Sequence, residues 1–146
     1  RWLGHSARAV LDGGFPAWQR AGLPLTATLP RAQPVAFHAQ PNDQLWLTTA
    51  QVLALPAENV VLDARAVARL TADGHFLPRA ELRTRFAAAV GERPAATVMH
   101  SCGSGVTACH NLLAMEAAGL RGSRLYPGSW SEWIRDPTRP VATGTD

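Results

Sequence analysis

The chain has 146 residues, 47% of them hydrophobic, with a formal net charge of +3 carried by 14 arginines and no lysine, which suits one α/β-sized domain with a buried core. No apolar run reaches the roughly 18 residues of a membrane span, and the opening RWLGHSARAV lacks the ordered parts of a secretory leader, so a soluble protein without a visible address is expected. The arginines are scattered, with no basic run and no interleaved aromatics, so neither membrane nor nucleic acid is expected as a partner and small anions fit better.

Taken in chain order, GHSARAVLDGGFPAW (4–18) aligns without gaps with GLRGSRLYPGSWSEW (119–133), pairing Gly4 with Gly119, Val10 with Leu125, Gly13 with Gly128, Phe15 with Trp130 and Trp18 with Trp133. Each copy reads as a helix end, a short strand, a glycine turn and a helix opening on aromatics, one supersecondary unit used twice. The first copy lacks everything that precedes the second, so the chain is expected to start inside a domain. GLPLTATLPRAQPVAFHAQPND (22–43), rich in Pro and polar residues, reads as a linker.

TTAQVLAL (48–55) then reads as a short threonine-capped helix and NVVLDAR (59–65) as a buried strand. PRAELRTRFAAAV (78–90) carries Leu82, Phe86 and Val90 at helical spacing, ATVMH (96–100) is a second strand, and TACHNLLAMEAAG (107–119) is a helix with Ala108, Leu112 and Met115 on one face and Gly119 as its cap. SRLY (123–126) completes the set as a third strand. Strands alternating with helices predict an α/β fold, a mostly parallel sheet flanked by helices on both faces.

Cys102 is the chemically distinctive residue. It follows a strand, sits in a glycine-bearing loop and precedes a helix N-terminus, the place where open α/β sheets hold ligands. Amides of Gly103, Ser104, Gly105, Val106 and Thr107 can curl round its sulfur, and the helix dipole adds positive potential, so thiolate is favoured over thiol. Helix N-termini bring a cysteine pKa from roughly 8.5 to 7.5 or below. Cys102 therefore reads as a nucleophile rather than a small packing residue, and Cys109, inside the helix, as a core or helix-surface residue.

Two other chemistries draw on the same residue types. His100, Cys102, Cys109 and His110 offer four zinc donors, but a Cys-x-x-Cys pair is missing and 109 and 110 point apart on a helix, so no metal is expected. Cysteine phosphatases use Cys-x5-Arg, and CGSGVTA places Ala108 where the phosphate-gripping arginine would stand. Two cysteines cannot form a disulfide framework, which fits a free thiol in a reducing compartment, the cytoplasm by default.

With these residues in view, the sequence resembles the rhodanese superfamily, most closely the tandem-domain 3-mercaptopyruvate (thiosulfate-type) sulfurtransferases. CGSGVTAC resembles that family's active-site loop, GSRLYPGSWSEW the segment that closes the same domain, and RWLGHSARAVLDGGFPAWQRAGLP the closing segment of the first, non-catalytic half. The resemblance implies a rhodanese-like fold, incomplete in this chain: residues 1–25 as the tail of a first domain, 26–43 as linker, and 44–146 as the catalytic domain. It implies no cofactor. It also implies that Cys102 takes sulfur from 3-mercaptopyruvate, or from thiosulfate, and passes it as a persulfide to a thiol or cyanide acceptor.

In the family, the DAR motif followed by another arginine grips the donor carboxylate, and the matching residue is Arg69. Ser104 and Thr107 can offer hydroxyls to the donor. A second clamping arginine of the family lies in an insertion that this sequence lacks, since LDARAVARL runs almost directly into TADGHFLPRAELRTRF and leaves a shortened segment near 64–78. Arg65 reads as surface. The competing expectation is a non-enzymatic or weakly active truncated module that carries a persulfide or binds a partner.

Overall fold

The computed structural model of the chain describes residues 2–65 and 67–143. Ala66, within the shortened segment, and residues 144–146, the end of the expected catalytic domain, lie outside the described residues. The chain gathers into two compact units, Arg1–Asp43 with Leu70–Leu77, and Gln44–Arg69 with Pro78–Asp146.

The first unit carries one helix, α1 (Gly14–Arg20). Gly13 precedes it at φ 78, and a Cβ there would lie 2.7 Å from both the Ala17 Cβ and the His75 Nε2, so a side chain is excluded by conformation and by space. Residues 71–75 form a tight turn in which Thr71 N–H donates to the His75 carbonyl at 2.9 Å, flanked by an antiparallel bridge between Leu70 and Phe76. Asp12 accepts the Phe76 amide at 2.8 Å and Arg20 donates to the Asp73 carbonyl at 2.7 Å, which ties the turn to α1.

The strand expected before Gly13 is not formed. Val10 and Leu11 lie in irregular backbone and are 65% and 52% exposed. A strand is stabilised by pairing with its neighbour, and among the described residues this copy has no paired strand, whereas the second copy is zipped onto a sheet. The helix that follows the glycine turn forms in both copies.

The second unit is built on three parallel strands, β1 (Val60–Asp63), β2 (Val98–Ser101) and β3 (Arg124–Leu125), in the order β1-β2-β3. The register pairs Leu62 with His100 and His100 with Leu125. Leu47 N–H donates to the Leu125 carbonyl at 2.8 Å and Trp46 bridges the same residue, so the chain entering the unit extends the edge of the sheet. β1 and β2 are linked through α3 (Arg79–Val90), and β2 and β3 through α4 (Val106–Ala117). Parallel strands need such long crossovers.

The period of two along β2 separates the faces of the sheet. Met99 packs with Leu47, Tyr126, Val52, Leu55 and Trp133, on the side of α2 (Thr49–Leu53) and α5 (Ser129–Trp133). His100 turns the other way and meets Asn111 of α4. Helices therefore cover both faces.

Local chemistry explains the elements. Thr48 opens α2 with a capping box, its side chain accepting from Gln51 N–H at 3.2 Å while its own N–H donates to Gln51 Oε1 at 2.8 Å. α3 buries Leu82, Phe86 and Val90, each worth about 1.5–3 kcal/mol when fully buried. α4 ends in a Schellman motif, with Gly119 N–H donating to the Glu116 carbonyl at 2.9 Å and Leu120 N–H to the Met115 carbonyl at 3.0 Å. Its buried face runs through Ala108, Asn111, Ala114 and Met115, turned toward Asn111 from the expected Leu112 because the buried His100 needs a polar partner there.

Candidate active site

Cys102 stands one residue beyond the end of β2 and is 3% exposed. Gly105 N–H donates to its sulfur at 3.1 Å. The turn that allows this depends on Gly105, which caps α4 at φ 83 and where a Cβ would meet the Pro127 carbonyl oxygen at 2.4 Å. Burial alone would raise the Cys102 pKa, but hydrogen bonds from the backbone of Ala108, Ser104, Gly105 and Thr107 outweigh it and hold the thiol below its ordinary value. Gly103 faces open space, and Ser104, Val106 and Thr107 are exposed, so the mouth of the loop is lined by uncharged residues.

The back of the loop is fastened by the segment that closes the unit. Cys102 N–H donates to Ser129 Oγ at 3.1 Å, and that hydroxyl donates to the Tyr126 carbonyl at 2.9 Å. The next two amides turn onto the loop carbonyls, Trp130 N–H to Cys102 at 3.0 Å and Ser131 N–H to Gly103 at 2.9 Å. Ser129 is fully buried and holds φ 49, a left-handed conformation uncommon outside glycine.

Two arginines lie within electrostatic reach of the sulfur. Arg65 forms a forked ion pair with Asp63, Nη2 to Oδ2 at 2.6 Å and Nε to Oδ1 at 2.9 Å, and the pKa of Arg65 is raised by this hydrogen bond, by the charge of Asp63 and by that of Cys102. Arg69 is half-buried; burial lowers its pKa, and the charge of Cys102 opposes that shift. Its Nη1 donates to the Ala64 carbonyl at 2.7 Å and the Val67 carbonyl at 3.0 Å, and its Nε donates to His110 Nδ1 at 2.6 Å.

The other candidate metal donors have separate roles. His100 is buried between Asn111 Nδ2, which donates to its Nδ1 at 3.0 Å, and Ser123 Oγ, which accepts from its Nε2 at 3.0 Å. Burial pushes its pKa down to about 4. Cys109 is exposed as a residue, while partial burial of its thiol and the nearby charge of Cys102 raise its pKa. Among the described residues, no three His, Cys, Asp or Glu side chains converge as a metal set, and no helix is long and apolar enough to cross a membrane.

The sequence pattern marks Arg65 as surface and carries no local signal for Ser129, or for His110 as a partner of Arg69. Arg65 stands in the DAR motif, which was the available signal. His110 and Ser129 meet their partners across 41 and 27 residues, and only the fold brings these pairs together.

No family model matches the chain. A Pseudomonas aeruginosa protein named "Probable 3-mercaptopyruvate sulfurtransferase" is 41% identical over 172 residues, covering 98% of this chain and 61% of that protein. A Rattus norvegicus thiosulfate sulfurtransferase is 32% identical over 170 residues, covering 92% of this chain and 56% of that protein. The chain thus spans a little over half the length of these relatives. The alignment to the bacterial protein is 172 residues long and covers 98% of this chain, so about 29 residues of that protein have no counterpart within it. Among solved structures, the anaerobic ergothioneine biosynthesis enzyme from Chlorobium limicola aligns with a TM-score of 0.83 at 16% identity, over 99% of this chain and 43% of that one. At that identity the likeness concerns the fold.

Proposed function

Given that the chain belongs to the rhodanese superfamily, we propose that it is the catalytic part of a sulfurtransferase that moves sulfur from 3-mercaptopyruvate through a persulfide on Cys102. In this reading residues 1–25 are the tail of a non-catalytic rhodanese-like domain, 26–43 a linker and 44–146 the catalytic domain, working in a reducing compartment such as the cytoplasm. The observation that carries it is the Cys102 sulfur, buried yet held toward thiolate by loop amides.

The Cys102 thiolate attacks the donor sulfur. A sulfur–sulfur bond forms, the carbon–sulfur bond of the donor breaks, and the departing enolate takes up the proton that the donor thiol gives up, becoming pyruvate. The terminal persulfide sulfur inherits the negative charge and is met by the amides of Gly103 to Thr107. Attack on that outer sulfur by cyanide or a thiol breaks the sulfur–sulfur bond and returns the Cys102 thiolate. Arg69 holds the donor carboxylate by a charge-assisted hydrogen bond, and the Ser104 and Thr107 hydroxyls add polar contacts.

Donor choice follows from charge. Thiosulfate is a dianion and suits a loop with cationic side chains, whereas residues 103–107 read GSGVT. Steady-state rates with both donors test the reading, with the higher kcat/KM expected for 3-mercaptopyruvate. Preference for thiosulfate would overturn the donor assignment. Absence of turnover with either would favour the competing reading, a truncated module that carries a persulfide or binds a partner, which draws support from the residues that the bacterial relative has and this chain lacks.

A further inference from the structure

The guanidinium of Arg69 has five N–H donors, and three have protein acceptors: both on Nη1, to Ala64 and Val67, and the one on Nε, to His110. Among the described residues, the structure gives Nη2 no such acceptor. The two backbone contacts come from the turn that carries Arg69 itself and would move with it. The contact to His110 comes from α4, whose first turn supplies the amides around the Cys102 sulfur. An arginine cannot accept a hydrogen bond, so His110 Nδ1 carries no proton and the imidazole is neutral when the contact is made.

We propose that His110 is a positioning residue for Arg69: by accepting the Nε–H on Nδ1, it ties the guanidinium to the helix that also cradles the Cys102 sulfur, so that Nη2 is held ready for the carboxylate of the donor. The inference rests on the sulfurtransferase reading above for what Nη2 meets, while the pinning of Arg69 stands on geometry alone. A long flexible side chain loses orientational freedom when it binds an anion, and fixing it beforehand removes part of that cost. One rigid helix then sets the spacing between the nucleophile and the carboxylate grip.

The test uses the full chain with two substitutions. His110→Ala removes the acceptor. His110→Asn restores one, since an asparagine Oδ1 can occupy the place of Nδ1. With 3-mercaptopyruvate, His110→Ala should raise KM about tenfold with little change in kcat, His110→Asn should recover most of the loss, and Arg69→Ala should mask His110→Ala when the two are combined. Losses that add independently, or an Asn variant as poor as Ala, would overturn the proposal. A second readout needs no turnover. The Arg69 Nε–H resonance, assigned by its loss in Arg69→Ala, should exchange slowly with water in the parent chain, become fast in His110→Ala and slow again in His110→Asn. An unchanged resonance in His110→Ala would refute the pinning even if the protein turned over no donor, so failure of the functional reading and failure of this proposal give different results.

Discussion

The amide of Cys102 donates to the Ser129 hydroxyl oxygen at 3.1 Å, and the same hydroxyl donates to the Tyr126 carbonyl at 2.9 Å. One buried side chain thus satisfies the nucleophile's backbone from a segment 27 residues away. Ser129→Ala leaves a buried N–H and a buried carbonyl without that partner, at about 1–3 kcal/mol for an unsatisfied group. Urea denaturation should show a loss of that size, together with slower alkylation of Cys102. Stability and reactivity equal to the parent would mean that the hydroxyl does not hold the loop.

The two loop glycines should respond differently to alanine. At Gly105 the backbone has φ 83 and a new Cβ would lie 2.4 Å from the Pro127 carbonyl oxygen, whereas at Gly103 a Cβ meets nothing within 4 Å. Left-handed backbone costs about 1–2 kcal/mol for a residue with a Cβ, and the clash adds to it. Gly105→Ala should therefore lose about 2 kcal/mol or more and slow the thiol, and Gly103→Ala should stay within about 0.5 kcal/mol of the parent. Equal effects in denaturation curves would contradict the turn geometry.

The thiols should separate by pH. Cys102 is held below its ordinary pKa by loop amides that outweigh burial, and Cys109 is pushed above it by burial and the charge of Cys102. Alkylation follows the thiolate, so as pH falls the Cys102 rate should persist to lower pH than the Cys109 rate. Limiting iodoacetamide near neutrality should label Cys102 first. Coincident pH profiles in peptide mass spectrometry would remove the argument for an activated nucleophile.

Much of this arrangement was legible in the chain. The apolar runs VVLD and VMHS mark two strands, the spacing of Leu82, Phe86 and Val90 marks α3, and Gly119 marks the end of α4, because each is a local pattern. The strand expected at Val10 and Leu11 failed because pairing is not local: its counterpart at Leu125 is bonded into the sheet, and among the described residues Val10 and Leu11 pair with no strand. The contacts of Ser129 with Cys102 and of His110 with Arg69 were hidden for the same reason. Arg65 was discounted as surface and is indeed exposed, yet the turn after β1 brings its charge toward the sulfur.

His100 gives a pH signature to folding. Its pKa is about 4 in the fold against 6.5 in an exposed chain, so between these values the unfolded chain binds the extra proton and stability rises with pH. The contribution is complete above the unfolded value and is lost as pH falls toward 4, on the order of 3 kcal/mol. Denaturation midpoints compared at pH 7 and pH 4.5 should show a steeper fall for the parent than for His100→Gln, which has no titrating ring. Parallel curves would show that His100 is not held neutral.

A persulfide on Cys102 is detected by intact-protein and peptide mass spectrometry after brief exposure to 3-mercaptopyruvate without an acceptor. The chain should gain the mass of one sulfur atom on the peptide containing Cys102, release an equal amount of pyruvate and return to its original mass when cyanide is added, with no gain in Cys102→Ser. A sulfur carried on Cys109 alone, or pyruvate released by Cys102→Ser at the parent's rate, would contradict a persulfide formed at the end of β2.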